Sequence, residues 1–218
     1  MKEQVSETMR LIADHISRVA ERVAKDELVD KLIEKIASYR DRGKIFVHGA
    51  GRSGLVGRSF AMRLMHIGLN VYVVGETITP RVEEGDLFIA ISGSGKTLNV
   101  VNAAKVAKEV AKAYVVAITS NADSPLAEIA DMVIIIPGRT KEQVLSGDYY
   151  IRQITGKHYT RTPLGTLFET TTLVFLDGIV AALMEKFGLT EEHLVRRHAN
   201  IEGRVFSYES MCSSDTHR

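Results

Sequence analysis

Short apolar segments and amphipathic segments alternate through the middle of the chain. Five runs rich in β-branched and other apolar residues are short enough to be strands, and they cover residues 44–48, 70–74, 87–91, 113–119 and 132–136. Helical periodicity lies between several of them, at residues 55–67, at residues 98–110 and in a short segment that starts at Ser124-Pro125. Continuous apolar strands separated by helices predict a parallel sheet that is covered on both faces.

Right-handed crossovers between such strands give a doubly wound sheet. We expect a five-stranded parallel sheet with the order 2-1-3-4-5, in a three-layer α/β/α sandwich of the flavodoxin-like type. In that order the first and third strands are neighbours, and the Gly/Ser-rich loops that follow them face one crevice. Ligands bind in this class at the carboxyl ends of the strands, so the sequence predicts a binding site there.

Further helices are predicted on both sides of the alternating region. Near the N-terminus, apolar residues recur at alternating spacings of four and three, which indicates a helix that packs on its own core or on another subunit. Asp26 is placed to cap a second helix and Gly43 to end it. The apolar stretch at residues 164–184 contains Glu169 and Asp177, which favours a core helix over a membrane span. The seam of the first helix consists of Val5, Met9, Ile12, Ile16, Val19 and Val23.

Two segments near the end of the chain complete the predicted organisation. Residues 138–162 form a long basic stretch with three tyrosines, which predicts a binding loop or an oligomer contact. Thr190 is placed to cap a last short helix that runs to about Arg197.

Composition narrows the class of protein. Apolar content of 45% and charged content of 25% are ordinary for a soluble globular chain, and a net charge of +1 gives no bulk attraction to nucleic acid or membrane. The single cysteine, Cys212, excludes an internal disulfide framework and a cysteine-based zinc site, and it fits the cytoplasm. The seven histidines include no ligand pair at helical spacing, so no metal site is expected.

The clearest chemical signal is the loop at residues 92–97, Ser-Gly-Ser-Gly-Lys-Thr, between the third strand and the next helix. The N–H groups at the start of a helix lack partners within it, and the helix dipole favours an anion there. The hydroxyls of Ser92, Ser94 and Thr97 add donors for phosphate oxygens. The sequence therefore predicts a phosphorylated small molecule as the ligand.

Two nucleotide-binding alternatives stay open on these residues alone. Residues 90–97 match a looser P-loop pattern, although the loop is short for a triphosphate and no core strand ends in an aspartate for magnesium. Gly49, Gly51 and Gly54 form the G-x-G-x-x-G pattern of dinucleotide-binding folds, and Glu76 follows after about twenty residues.

Three polar residues bear on the choice between a nucleotide and another phosphorylated ligand. Arg52 and Ser53 fill the first loop with groups suited to phosphate, which disfavours a dinucleotide. Glu169 lies among apolar residues of the long helix, where a carboxylate is either paired or functional. A cap or a core hydrogen bond is one explanation for it, and proton transfer is the other.

Several segments together resemble the sugar isomerase (SIS) domain family. Those typical of the whole family are Gly51-Arg52-Ser53, residues 92–97, Thr119-Ser120-Asn121, Ser124-Pro125-Leu126 and Ile136-Pro137-Gly138-Arg139. Residues 163–169, Pro-Leu-Gly-Thr-Leu-Phe-Glu, and residues 197–202, Arg-His-Ala-Asn-Ile-Glu, are similar to the members that isomerise a 3-keto hexose 6-phosphate in the ribulose monophosphate pathway. The resemblance covers nearly the whole chain to Glu202.

This resemblance implies a homotetramer and a site without a metal or nucleotide cofactor. The catalytic glutamate of the family corresponds to Glu169, which would move a proton between C2 and C3 of the sugar through a 2,3-enediol. A histidine that a neighbouring subunit often supplies corresponds to His198, which would act as the acid. The residues that correspond to the substrate-binding set are Gly51, Arg52, Ser53, Ser92, Ser94 and Thr97.

The same comparison sets the expected domain limits and the alternatives. We expect residues 1–202 to form a single SIS domain with N-terminal helices. Residues 203–218 depart from the family and are similar to protease-site or vector sequence, so a non-native or disordered tail is expected. The alternative functions are a related aldose–ketose isomerase for another sugar phosphate, a non-catalytic SIS module that binds a sugar phosphate, and a dinucleotide-binding oxidoreductase.

Overall fold

The computed structural model describes residues 1–138, 162–163, 165–190 and 192–194. The elements in chain order are α1 (Lys2–Val23), α2 (Glu27–Ala37), β1 (Ile45–Gly49), α3 (Gly51–His66), β2 (Val71–Val73), β3 (Leu87–Ile91), α4 (Leu98–Glu109), β4 (Tyr114–Thr119), α5 (Pro125–Ile129), β5 (Met132–Ile135) and α6 (Thr166–Phe187). Most of the predicted segments of residues 1–138 and 165–190 are therefore present with small changes of boundary.

The five strands form one parallel sheet with the order β2-β1-β3-β4-β5, which confirms the predicted fold class. The central strand β3 is buried along its whole length. In the register, Gly49 of β1 lies opposite Ile91 of β3, and Ile91 lies opposite Ile118 of β4. Three neighbouring strands therefore end at the same edge of the sheet, and the loops that follow them meet there.

Alternate residues of the strands supply two apolar cores on opposite faces of the sheet. In β1, Ile45 and Val47 belong to the core beneath α2, α3 and α6, whereas Phe46 belongs to the core beneath α4. This pattern is the reason that the strands lack the polar alternation of a half-exposed sheet.

The helix α6 is, within the described part of the chain, the one helix long and apolar enough to cross a membrane. It packs instead against α3 and α1, and its buried residues run from Thr166 to Leu183. The structure agrees with the prediction of a core helix at this position.

The first two helices match the prediction in part. The Asp26 carboxylate accepts from the N–H of Leu28 at 3.0 Å and caps α2, as predicted. The prediction that Gly43 ends this helix is wrong, because α2 ends at Ala37 and Gly43 takes a φ of +71° in the turn before β1. In α1, Val19 is the one buried residue of the seam, and Val5 and Met9 are exposed, so the start of the seam does not pack on the core of the described residues.

The helix α3 begins at Gly51 and not at residue 55, which corrects the predicted loop. Small residues made this segment resemble a loop, but they are needed because strand and helix approach closely. A Cβ on Gly54 would lie 2.7 Å from the carbonyl oxygen of Gly49. Consequently Arg52 and Ser53 lie in the first turn of a helix at the carboxyl edge of the sheet.

The last predicted elements lie mostly outside the described residues. Residues 192–194 are helical, and the Thr190 hydroxyl lies 3.0 Å from Nδ1 of His193 at the start of this turn. The predicted loop beyond residue 138 up to residue 161, the end of the last helix and the tail at residues 203–218 are outside the described part of the chain.

Candidate active site

The loop at residues 92–97 joins β3 to α4 at the centre of the carboxyl edge. The Gly95 N–H donates to the Ser92 carbonyl at 3.0 Å, and Gly95 takes a φ of +66°, which favours glycine. Thr97 is the N-cap of α4, yet its side chain makes no capping hydrogen bond. Its hydroxyl oxygen lies 3.0 Å from the Ser92 hydroxyl instead, so the first N–H groups of α4 are not taken by the cap side chain.

Hydrogen bonds from residues at the end of β4 hold this loop in place. The Gly93 carbonyl accepts from the N–H of Ser120 at 3.0 Å, from the Ser120 hydroxyl at 2.6 Å and from the Thr119 hydroxyl at 3.3 Å. Both donor residues stand at the end of β4, the strand next to β3. No role in the site was predicted for Thr119 and Ser120 from the sequence. Their position at the carboxyl end of the strand next to β3 could have indicated one.

A steric contact with the start of α5 fixes the other end of the loop. A Cβ on Gly95 would overlap the Ser124 side chain, so no larger residue fits there without a shift. The Gly95 carbonyl accepts from the N–H of Leu126 at 3.1 Å. Ser124 caps α5 as predicted, because its hydroxyl oxygen accepts from the N–H of Ala127 at 3.3 Å. The loop is therefore preorganised without a ligand.

The three predicted hydroxyls of this loop differ in their surroundings. Ser92 is buried, and its hydroxyl is engaged with that of Thr97. Ser94 is half-buried, and its oxygen accepts from the N–H of Lys96 at 3.2 Å. The structure brings all three into one loop, with Ser94 and Thr97 nearer to solvent than Ser92.

The second part of the site is an ion pair between two helix N-termini. Nε of Arg52, in the first turn of α3, lies 2.5 Å from Oε2 of Glu169, in the first turn of α6. The Glu169 side chain is 15% exposed and that of Arg52 is 59% exposed. Oε2 has no hydrogen-bond partner among the described residues, so its contact with Arg52 is that of an ion pair.

The pair lines a cleft of about 250 Å³ between α3 and α6. The other lining side chains are mostly apolar and include Leu55 and Leu173. A carboxylate with one oxygen outside any hydrogen bond, beside a cation in a small cleft, can accept a proton from a bound molecule. The structure therefore brings together the predicted residues Glu169 and Arg52.

The aromatic ring of Phe168 connects this cleft to the loop that follows β3. Phe168 is buried, and a Cβ on Gly93 would lie 2.9 Å from its Cδ1. A Cβ on Gly138, at the end of the described part after β5, would overlap the Phe168 Cβ. Phe168 therefore joins the first turn of α6, which also carries Glu169, to the loop. Sequence reasoning missed Phe168, since an apolar residue in an apolar helix carries no signal of such a contact.

The remaining predicted residues have mixed positions. Ser53 is buried in the first turn of α3, and Gly51 takes a φ of +56° with open space where a Cβ would lie. His198 lies outside the described residues. Glu76, the acidic residue of the dinucleotide alternative, forms an ion pair with Arg58 at 2.5 Å.

A larger cleft of about 520 Å³ lies on the opposite face of the sheet. It lies between α4 and the segment after β2, because β2 and β3 are joined without a helix. Apolar residues such as Val74, Phe88 and Val106 form most of its lining, and no carboxylate is among the described residues that line it. The groups suited to proton transfer lie in the smaller cleft.

His48, at the end of β1, predicts a measurable dependence of stability on pH. Burial lowers its pKa below the usual 6.5, and the facing backbone carbonyls of Asn99 and Val74 offset only part of this effect. The unfolded chain therefore binds the proton more readily, and the free energy of unfolding falls as the pH drops below about 6.5. In His48→Gln the melting temperature should fall less between pH 7 and pH 5 than in the wild type.

The exposed Ser17 of α1 supplies the control for this measurement. Ser17→Gln should retain the wild-type loss of melting temperature on acidification. Equal acid sensitivity of the wild type and His48→Gln would contradict the prediction.

Comparison with known proteins identifies the family of this chain. Residues 38–158 match the model of the SIS domain family. A 3-hexulose-6-phosphate isomerase from Bacillus subtilis is 43% identical over 81% of this chain and 88% of its own length. Another from Mycobacterium gastri is 40% identical over 92% of each chain. A crystal structure from Methanococcus jannaschii, from which a function as 3-hexulose-6-phosphate isomerase was inferred, is 36% identical with a TM-score of 0.71 and covers 88% of this chain and 98% of that chain.

Proposed function

This chain belongs to the SIS domain family and is a sugar-phosphate isomerase, and we propose that it interconverts D-arabino-hex-3-ulose 6-phosphate and D-fructose 6-phosphate. This activity is that of a 6-phospho-3-hexuloisomerase. The observation that supports it most is the contact of Glu169 with Arg52, in the first turn of a helix whose Phe168 packs on the loop that follows β3. A base next to a cation, together with a preformed anion site, provides the groups that a keto-sugar phosphate isomerase requires.

The proposed reaction moves the carbonyl group from C3 to C2. Glu169 removes the proton from C2, and the electron pair of that C–H bond forms the C2–C3 double bond of a 2,3-enediol. The π pair of the C3 carbonyl moves to the C3 oxygen, which takes a proton from an acid. The same carboxyl group then returns the proton to C3, while the C2 oxygen gives its proton to the conjugate base of that acid as the C2 carbonyl forms. Arg52 stabilises the negative charge that develops on the enediol oxygens.

The loop at residues 92–97 holds the phosphate group in this proposal. It offers N–H groups at the start of α4 and the hydroxyls of Ser94 and Thr97, and its conformation is fixed before the ligand arrives. Binding energy from the remote phosphate then orients C2 and C3 against Glu169.

Ser94→Ala tests this placement of the phosphate. Loss of one hydrogen bond to a charged group costs about 1.5–3 kcal/mol, so we expect KM to rise by roughly 10-fold or more with kcat nearly unchanged. Steady-state kinetics and inhibition by inorganic phosphate measure the effect, and Ser17→Ala on the exposed side of α1 is the control. An unchanged KM together with unchanged phosphate inhibition would contradict the assignment.

The proton transfers on the two oxygens need an acid, and we propose His198 for this role. The support is the similarity of residues 197–202 to the family, and the position itself lies outside the described residues. We propose in addition that the chain is a homotetramer in which a neighbouring subunit supplies this histidine. The exposed seam residues Val5 and Met9 of α1, 60% and 66% exposed, support a contact between subunits.

The product and substrate set the metabolic setting of the proposal. An enzyme of this specificity serves the ribulose monophosphate pathway, either in formaldehyde assimilation or in pentose supply, and acts in the cytoplasm. No metal or nucleotide cofactor enters the proposed reaction.

A coupled assay tests the proposed reaction directly. The protein is mixed with enzymatically generated 3-hexulose 6-phosphate, and fructose 6-phosphate is followed through glucose-6-phosphate isomerase and glucose-6-phosphate dehydrogenase. Formation of NADPH that depends on this protein supports the assignment. Absence of turnover, while a panel of sugar phosphates still raises the melting temperature, would contradict this substrate and favour another sugar-phosphate isomerase or a binding module.

A further inference from the structure

The backbone after β5 has an unusual anchor on the first helix of the chain. The last ladder bond of this strand runs from the N–H of Ile136 to the Thr119 carbonyl at 2.9 Å. Pro137 follows and has no N–H to continue the ladder. Its carbonyl oxygen lies 3.0 Å from Nε2 of His15 in α1, although 122 residues separate the two in the chain. Because a carbonyl only accepts, His15 donates and carries its proton on Nε2.

The residue after this anchor supports the helix that carries the proposed base. A Cβ on Gly138 would lie 2.7 Å from the Cα and 2.9 Å from the N atom of Phe168. The turn at Pro137 and Gly138 therefore touches the backbone of the first turn of α6, and not only a flexible side chain. A shift of the turn is transmitted to Phe168 and to Glu169, the residue after it.

The helix α1 is well placed to act as a fixed support. It packs along α6, its residue Val19 is buried, and His15 itself is half-buried. The imidazole thus holds the end of β5 from a helix that is itself attached to α6. The helix α1 thus contacts the turn after β5, this turn contacts the first turn of α6, and α6 contacts α1.

We propose that His15 is a positioning residue for the isomerase reaction, which fixes the Pro137–Gly138 turn and through it the carboxylate of Glu169. The inference rests on the proposed function, because Glu169 is the base only in that reaction. It assigns a role to a helix outside the two loops and the cleft that form the site.

The phosphate loop should be less sensitive to this contact than the base, because Phe168 meets the loop only through its ring at Gly93. Its Gly93 carbonyl is held by three donors from Thr119 and Ser120, and its Gly95 carbonyl by Leu126. None of these bonds involves α1 or the turn after β5. Loss of the His15 contact should therefore misplace the base more than it weakens the binding of the phosphate group.

The test compares two substitutions at one position. His15→Phe keeps a planar side chain of similar size but removes the donor, and His15→Gln places an amide N–H at nearly the same distance from the helix. We expect kcat to fall by about 10-fold in His15→Phe, since small misplacements of catalytic groups are costly, with KM within about twofold of the wild type. His15→Gln should recover most of kcat.

A packing variant on the same helix separates positioning from general loosening. Val19→Ala removes buried apolar volume between α1 and its neighbours, and it should lower the melting temperature with kcat retained. The proposal would be overturned if kcat were unchanged in His15→Phe, or if kcat fell as far in Val19→Ala as in His15→Phe. It would also be overturned if His15→Gln had the same low kcat as His15→Phe. A wild-type protein without isomerase activity would overturn the proposed function as well, so the two failures are distinguishable.

Discussion

Glu169→Gln is expected to lower kcat by about 10²- to 10⁴-fold, the usual contribution of a general base. Glutamine has the same shape as glutamate, so the contact of Phe168 with Gly93 and Gly138 continues to hold the side chain in the cleft. The amide has no lone pair that can take the C2 proton at neutral pH. The substrate still binds through its phosphate, so KM should change little.

The fold should tolerate this substitution. The partner of Glu169, Arg52, is 59% exposed, and ion pairs of this exposure contribute about 0–1 kcal/mol. Circular dichroism and the melting temperature verify the folded state, and the coupled assay measures turnover. The matched control is Asp177→Asn, which removes an exposed carboxylate from the same helix and should leave kcat unchanged. Turnover of Glu169→Gln within about tenfold of the wild type would rule out Glu169 as the base.

Arg52→Gln should produce the second large effect, a fall in kcat of about 10²- to 10³-fold, which is the usual loss for one group that stabilises transition-state charge. Nε of Arg52 lies 2.5 Å from Oε2 of Glu169 and not on the loop at residues 92–97. In the proposed reaction the cation is therefore close to the atoms where negative charge develops during enediol formation. We expect a smaller change in KM than in kcat.

Kinetics with a competing anion separate two roles of Arg52. If the side chain stabilises the enediol, inhibition by inorganic phosphate stays near the wild-type value in Arg52→Gln. If that inhibition weakens as much as kcat falls, Arg52 belongs to the phosphate site and the assignment to the reacting carbons is wrong. Arg58→Gln is the matched control, because it lies on α3 as well but pairs with Glu76 outside the cleft, and it should retain full activity.

The fold was predictable because its signals are local. Runs such as residues 87–91 are apolar throughout, and their short length between Gly/Ser-rich loops predicts buried parallel strands. Asp26 and Ser124 stand at the helix starts where their side chains cap the next turns. The start of α3 was misplaced because glycine has two uses that look alike in sequence. It allows backbone conformations that a loop requires, and it also lets a helix lie close to a strand. The second use applies here, where Gly54 of α3 lies against Gly49 of β1.

The sequence predicted only those site residues whose side chains carry charge or hydroxyl groups in an unusual context. Glu169 and Arg52 were identified separately, and the structure adds that they touch. No role in the site was predicted from the sequence for Phe168, Ser120 or His15. Each of them acts through a contact with a residue far away in the chain. Such contacts depend on how the layers pack, which periodicity and propensity do not specify.

The contact between His15 and Pro137 has a consequence for the order in which the protein regains its properties on refolding. It joins positions 122 residues apart, and the entropy lost on closing a loop of this length must be offset before the contact is stable. The loop after β3 is held instead by bonds to the next strand and helix, which are near in the chain. Chains rich in distant contacts fold slowly. A refolding molecule should therefore recover affinity for phosphate before it recovers turnover.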